Sequence, residues 1–310
     1  MYKSFFGVRS YPFGSSPDPR CLYVMPQIRE TLACLQYGIA ARKGFVVMTG
    51  EVGTGKTTLL KTVLSRFDGD RVSTAFVFNP LLDVLDFFEF VLTDFGIPPA
   101  TRTKSAMLIQ LNRWLVERFR NNGVCVIVVD EAQNLSWELL EEIRLLTNLE
   151  TSSEKLLQIV LSGQPELQEK LHNPAVRQLR QRVWMWCKTR PLTSQETKDY
   201  IAQRLQGAGA TEPVFTDDAM RQVHTYSRGI PRLINLICEH ALISAYVEQI
   251  KPIPMRITEA IGVELDLDKR PFLISSAALS DSPHTASPIC TPHFIEPVSH
   301  ETGFQKDLDI

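Results

Sequence analysis

Gly50-Glu51-Val52-Gly53-Thr54-Gly55-Lys56-Thr57-Thr58 matches the phosphate-binding pattern G-x-x-x-x-G-K-[ST] at every fixed position. Each residue type answers a chemical need. Gly53 and Gly55 let the backbone wrap closely around phosphate oxygens. A helix opening after the loop presents free N–H groups and a partial positive charge to the same oxygens. Lys56 is long enough to reach the β- and γ-phosphates, and the Thr57 hydroxyl can ligate Mg²⁺. Further along, Asp130-Glu131 follows an uninterrupted apolar run. A carboxylate there can complete a Mg²⁺ shell, which assigns Asp130 to the metal. Glu131 is then the general base that polarises an attacking water.

Three further candidates lie outside these motifs. Gln164, with Ser162 two residues before it, ends another apolar run, where a polar side chain can meet the γ-phosphate or the water. Arg177, Arg180 and Arg182 form a basic cluster in Val176-Arg177-Gln178-Leu179-Arg180-Gln181-Arg182-Val183. An arginine from such a cluster can complete a neighbouring subunit's site by stabilising charge on the transferred phosphoryl group. Arg182 is preferred, with Arg180 next. Arg232 follows Gly229-Ile230-Pro231, a turn into a helix, and would contact phosphate if that helix folds over the nucleotide.

The elements that must carry these residues alternate. Phe45–Thr49, Val72–Phe78, Val124–Val129 and Leu156–Leu161 are apolar enough for buried strands. Helices are expected over Gln27 to Ala41, from Thr58, over Leu85 to Phe95, Lys104 to Asn121 and Leu139 to Leu149. This alternation predicts an α/β fold, a parallel sheet flanked by helices. From about Arg190 the strands stop. Helices Ser194–Ala208, Asp217–Ser227, Pro231–Val247 and Ile257–Leu267 predict a small all-helical lid domain, with Ser194 and Thr216-Asp217 as helix caps. The expected organisation is an irregular aromatic strap over 1–26 packing on the domain that follows, an α/β domain over 27–192, a lid over 193–268, and a disordered tail over 269–310.

With 44% hydrophobic and 22% charged residues among 310, the composition is that of a globular protein with an ample core. A net charge of -2 argues against coating nucleic acid through bulk charge. The six cysteines include no C-x-x-C pair, so neither a zinc site nor a disulfide framework is signalled. Cys125 and Cys238 are expected to be buried thiols. There is no signal peptide and no apolar run of about 18 residues, so a cytoplasmic protein without a membrane span is expected.

Taken together, these residues resemble an AAA+ ATPase, a P-loop NTPase. Within that superfamily the chain is similar to the ExeA/GspA-type ATPases of bacterial secretion and surface-assembly systems, from residue 1 to about 268. The aromatic opening Tyr2-Lys3-Ser4-Phe5-Phe6-Gly7 and Gly163-Gln164-Pro165-Glu166-Leu167 carry this more specifically than the superfamily-wide motifs, beside Asp130-Glu131-Ala132-Gln133, Leu179-Arg180-Gln181-Arg182 and Gly229-Ile230-Pro231-Arg232. The resemblance implies ATP and Mg²⁺ as ligands and a homo-oligomeric ring or filament. It also implies that Gln164 is similar to sensor 1, Arg232 to sensor 2, and Arg180 or Arg182 to an arginine finger. Long members of this type continue into a transmembrane helix and a periplasmic peptidoglycan-binding domain, whereas a polar tail follows here. The alternative is a transposition regulator similar to TniB or TnsC, with DNA and a transposase as partners. A helicase is set aside, because the helical remainder is too small for a second RecA-like domain. Glu131 argues against a module that binds nucleotide without turning it over.

Overall fold

Val124–Val129, the apolar run that precedes the two acids, is β3, second from one edge of a five-stranded sheet in the computed structural model. The structure describes residues 1–14, 26–67, 71–78 and 80–267. β1 (Phe45–Thr49), β2 (Val72–Val77), β3, β4 (Leu157–Gly163) and β5 (Met185–Lys188) all run parallel, in the order β2-β3-β4-β1-β5. Side chains alternate across a strand. Phe45, Val47, Ala75, Val77, Ile127, Val129, Ile159 and Leu161 therefore face one side, where α4 (Val84–Asp94), α5 (Lys104–Arg120), α6 (Trp137–Leu146) and α7 (Pro165–His172) cover them. Val46, Met48, Val126, Val128, Val160, Met185 and Cys187 face the other, against α2 (Pro26–Ala40) and α3 (Lys56–Leu64). Both faces are covered, which is why β1 and β3 read as apolar runs without alternation and why the one polar residue inside the apolar run of β4, Gln158, is buried and accepts from the Gly44 N–H. Because all strands are parallel, their C-terminal ends share one edge, and that edge carries Gly50, Asp130, Gln164 and Thr189.

A separate core is built by α9 (Ser194–Gly207), α10 (Asp217–Ser227), α11 (Pro231–Val247) and α12 (Met255–Glu264). The cap of α9 is Thr193 rather than Ser194. Thr193 and Glu196 form a reciprocal capping box, and only Thr193 has a glutamate three positions on. Thr216 caps α10 by accepting from the Ala219 N–H.

The sequence reading differs from the structure in three further places. Tyr2–Phe6 is a short helix, α1, not irregular chain. Tyr2, Phe6, Val8 and Phe13 are buried in the helical core, so this segment packs on the lid and not on the α/β domain that follows it. The Tyr2 hydroxyl donates to Glu239 of α11, and burial beside that carboxylate raises its pKa. The fifth strand, β5, and the helices α7 and α8 (Arg177–Arg180) were not expected. Residues 15–25 and the tail from 268 onward lie outside the described residues.

Candidate active site at the strand ends

The phosphate loop takes the course its glycines allow. Gly53 and Gly55 have φ of 80° and 95°, a region that a residue with a Cβ seldom enters. A Cβ built on Gly55 would meet nothing within 4 Å, so the loop encloses open space there. Gly50 is required for a different reason. Its Cβ would stand 1.9 Å from Thr189 Oγ1, because the loop is pressed against the end of β5. Thr189 also pairs with Thr54 through their hydroxyls, 2.7 Å apart, and Thr54 donates to the Glu51 carbonyl at 2.8 Å. Val52 is exposed on the outer bend, and Thr58 lies in the first turn of α3.

Lys56 opens α3 and is buried, with 6% of its surface exposed. Its Nζ donates to the Gly50 and Glu51 carbonyls, at 2.7 and 3.1 Å. Burial pushes the Lys56 pKa down, and the Glu131 and Asp130 carboxylates oppose that. Thr57 Oγ1 donates to Asp130 Oδ2 at 2.6 Å, so the two groups assigned to the metal stand together. The other oxygen, Oδ1, accepts from Ser162 Oγ at 2.8 Å and from the Glu131 N–H at 3.1 Å. Ser162 therefore orients Asp130 instead of reaching toward the phosphate or the water.

Glu131 itself has φ 50°, left-handed for a residue with a side chain. Its Oε2 accepts from Gln133 Nε2 at 2.7 Å and from Gln164 Nε2 at 3.2 Å. Gln164 is thus brought to Glu131 from the end of β4. The lid completes the arrangement. The Arg232 N–H donates to the Gly53 carbonyl at 3.2 Å, and the Arg232 stem lies against Gly53, whose Cβ would come within 2.8 Å of Arg232 Cβ.

The two candidate finger residues sit differently. Arg182 donates to Thr147 Oγ1 at 2.8 Å within the same chain. The Arg180 carbonyl, at the end of α8, accepts from the Val183 N–H at 3.2 Å, but no hydrogen bond or ion pair joins its guanidinium to another described residue. Neither is brought to the Lys56–Glu131 site by any contact. Gln133 and Lys170 were missed as site residues. Gln133 stood in the Asp-Glu-Ala-Gln stretch, but nothing local shows that its side chain turns back on Glu131.

The donor set fits a Mg²⁺–nucleotide. Mg²⁺ is held by few protein oxygens and keeps several waters and phosphate oxygens. Thr57 with Asp130 supplies such a partial set, and no cluster of three His, Cys, Asp or Glu among the described residues competes for a metal. The positive-φ glycines, the buried lysine and the start of α3 form the anion cradle beside it.

Residues 39–171 match the family model of an AAA domain. Over 247 residues the chain is 44% identical to General secretion pathway protein A of Aeromonas hydrophila, an alignment covering 79% of this chain and 45% of that protein. The chain thus spans less than half the length of that relative. The fold is also similar to that of the Aeropyrum pernix ORC2 protein in its ADPNP-ADP complexes, with a TM-score of 0.59 at 17% identity over 82% of this chain and 71% of that one. Cdc6p from Pyrobaculum aerophilum gives 0.60 at 19% identity, over 78% and 67%. At these identities the structural likeness speaks for the fold alone. No helix among the described residues is long and apolar enough to cross a membrane. With the AAA-domain match containing both the phosphate loop and the two acids, and the longer identity running on into the lid, the chain carries an AAA domain and is a relative of General secretion pathway protein A.

Proposed function

We propose that the protein hydrolyses ATP with Mg²⁺ as a homo-oligomer, on the cytoplasmic side, and that the cycle drives or switches a partner assembly of the secretion or surface-polymer kind. The observation that carries the catalytic part is the pairing of Thr57 with Asp130 at 2.6 Å beside a Glu131 whose Oε2 is held by two amides. Thr57 and Asp130 would hold Mg²⁺, which when bound screens the phosphate charge. The loop N–H groups and Lys56 bind the phosphates. Lys56 exchanges its two carbonyl acceptors for phosphate oxygens, a stronger, charge-assisted pairing. Glu131 Oε1, which no described residue donates to, takes the proton of the attacking water. Gln164 lies within reach of that water. Arg232 ties the lid to the loop and so couples lid position to nucleotide state.

The oligomer supplies what one subunit lacks, a second cation aimed at the γ-phosphate. Arg180, whose guanidinium no described residue engages, suits that role better than Arg182, which Thr147 holds. The secretion-type role rests on the 44% identity to General secretion pathway protein A. Glu131→Gln keeps size and hydrogen bonding but removes the base. The variant should bind Mg²⁺-ATP as the parent does and hydrolyse it about 10²-fold or more slowly. Hydrolysis at the parent rate would remove Glu131 from the mechanism. ATP-dependent retention on duplex DNA, measured across a salt series, would instead favour the transposition alternative.

A further inference from the structure

Glu131 occupies a left-handed conformation that a glutamate does not choose by itself, and such a position persists only when its surroundings over-determine it. Those surroundings are specific. The chain after Glu131 makes a single 3-10 turn, Ala132–Asn134, closed by the Asn134 N–H on the Glu131 carbonyl at 3.0 Å. Ala132 and Leu135 anchor the turn in the core. Lys170 of α7 reaches over it and donates to the Gln133 carbonyl at 3.0 Å and to the Leu135 carbonyl. Lys170 also lies over the Trp137 ring, and burial pushes its pKa down.

Gln133 uses both ends of its amide. Its Oε1 accepts from the Gln164 backbone N–H at 3.1 Å, and its Nε2 donates to Glu131 Oε2 at 2.7 Å. The accepting end is fixed by a backbone donor, so the amide cannot flip, and the donating end must face the carboxylate. The approach is close. A Cβ on Gly163 would lie 2.7 Å from Gln133 Oε1, so the glycine before Gln164 admits this side chain.

We propose that Gln133 is a positioning residue for hydrolysis. It holds Glu131 Oε2 so that Oε1 alone is presented to water, and Lys170 fastens the turn that carries both residues to α7. The proposal rests on Glu131 being the base. Gln164 also donates to Oε2, but at 3.2 Å, and its side chain is the one expected to turn toward the phosphate. Gln133 is the donor whose other end is locked to backbone. A carboxylate held in only one orientation is what a catalytic base needs, since small misplacements of a reacting group cost large factors in rate.

The test is steady-state hydrolysis by the full chain, with ATPγS affinity and thermal stability measured alongside. Gln133→Met keeps length without donor or acceptor. It should lower kcat about 10- to 10²-fold while ATPγS affinity stays within about twofold. Gln133→Glu keeps the acceptor for Gln164 but sets a second carboxylate against Glu131, and should lose at least as much. In the Glu131→Gln background, Gln133→Met should cost nothing further, because its effect runs through the base. A purely structural role predicts instead that the two losses multiply. If Gln133→Met does not fold, Lys170→Met and Lys170→Arg take its place. Lys170→Met should lower kcat with affinity kept, and Lys170→Arg should restore part of it. Wild-type kcat in a folded Gln133→Met, or multiplying losses in the double variant, would overturn the proposal. Wild-type hydrolysis by Glu131→Gln is the separate outcome that removes the base itself.

Discussion

Gly229→Ala tests how firmly the lid is tied to the nucleotide loop. Gly229 has φ 76°, and a residue with a Cβ loses about 1–2 kcal/mol there. The added Cβ would also stand 1.9 Å from the Leu192 carbonyl oxygen and 2.8 Å from Leu192 C and N. All three are backbone atoms of the connection between the α/β domain and the lid, so no rotamer change relieves the overlap. Forcing such a contact costs about another 1–3 kcal/mol. If the connection yields, the bond from the Leu192 N–H to the Gly229 carbonyl at 2.8 Å is lost, worth about 1 kcal/mol more. The expected loss is therefore about 2–6 kcal/mol in all. Function should follow, because Ile230 and Arg232, which lie against Gly53, leave the same turn. Displacing that turn should weaken nucleotide binding as well as the fold. The assay is urea unfolding plus titration of a fluorescent ATP analogue, with Gly207→Ala as the control. Gly207 ends α9 with nothing within 4 Å of its Cβ position and no positive φ, so alanine there should be neutral or add up to about 1 kcal/mol. Gly229→Ala within about 0.5 kcal/mol of the parent, with unchanged analogue affinity, would refute the placement of this turn.

Lys56→Ala should abolish or severely weaken ATP binding, since the loop keeps its N–H donors and loses its buried cation; titration of the same analogue reads this directly. Glu196 gives a pH signature. The Arg190 guanidinium donates to both its oxygens at 2.8 Å and, outweighing the opposing effect of burial, holds its pKa down to about 2, with the Thr193 N–H helping. The folded value lies below the ordinary one near 4.5, so this stabilisation is present above 4.5 and lost as pH falls toward 2. Glu196→Gln should cost about 1–2 kcal/mol at pH 7, allowing for solvent screening of the partly exposed arginine, and the gap should close in urea melts taken progressively below pH 4.5. A mixture of Lys56→Ala and Arg180→Ala subunits should recover hydrolysis that neither has alone, because one keeps a cation to lend and the other a competent pocket. Rescue with Arg182→Ala in place of Arg180→Ala would move the finger by two residues, and no rescue with either would end the shared-site model.

What was legible in the sequence was whatever lies contiguous in the chain. The loop from Gly50 to Thr58 is a local motif, and the strand before Asp130 announces itself by six apolar residues with no alternation. β5 gave no such signal. Met185-Trp186-Cys187-Lys188 has no β-branched residue, forms an edge of the sheet and pairs only with β1. α7 was hidden by Gln164-Pro165, which reads as a turn, although a proline at the first helical position starts a helix as readily. Arg182 was preferred as the finger from the sequence, and the partner its side chain has in the fold, Thr147, is brought to it only by folding. Gln133 escaped for the same reason, since the N–H that orients its amide belongs to Gln164, thirty-one positions away. Even a residue that a motif assigns can be there for more than one cause. Gly53 was explained by the closeness of phosphate to backbone, and its φ of 80° agrees. Yet its missing side chain also makes room for the Arg232 stem, so the same glycine is needed for the lid to reach the loop. A motif states which residue is required, but the number of separate constraints that require it appears only when both contacts can be measured. For that reason a substitution at Gly53 would not separate phosphate binding from lid docking, whereas one at Gly229, which touches the connection to the lid and not the phosphate loop, can reach the nucleotide only through the lid.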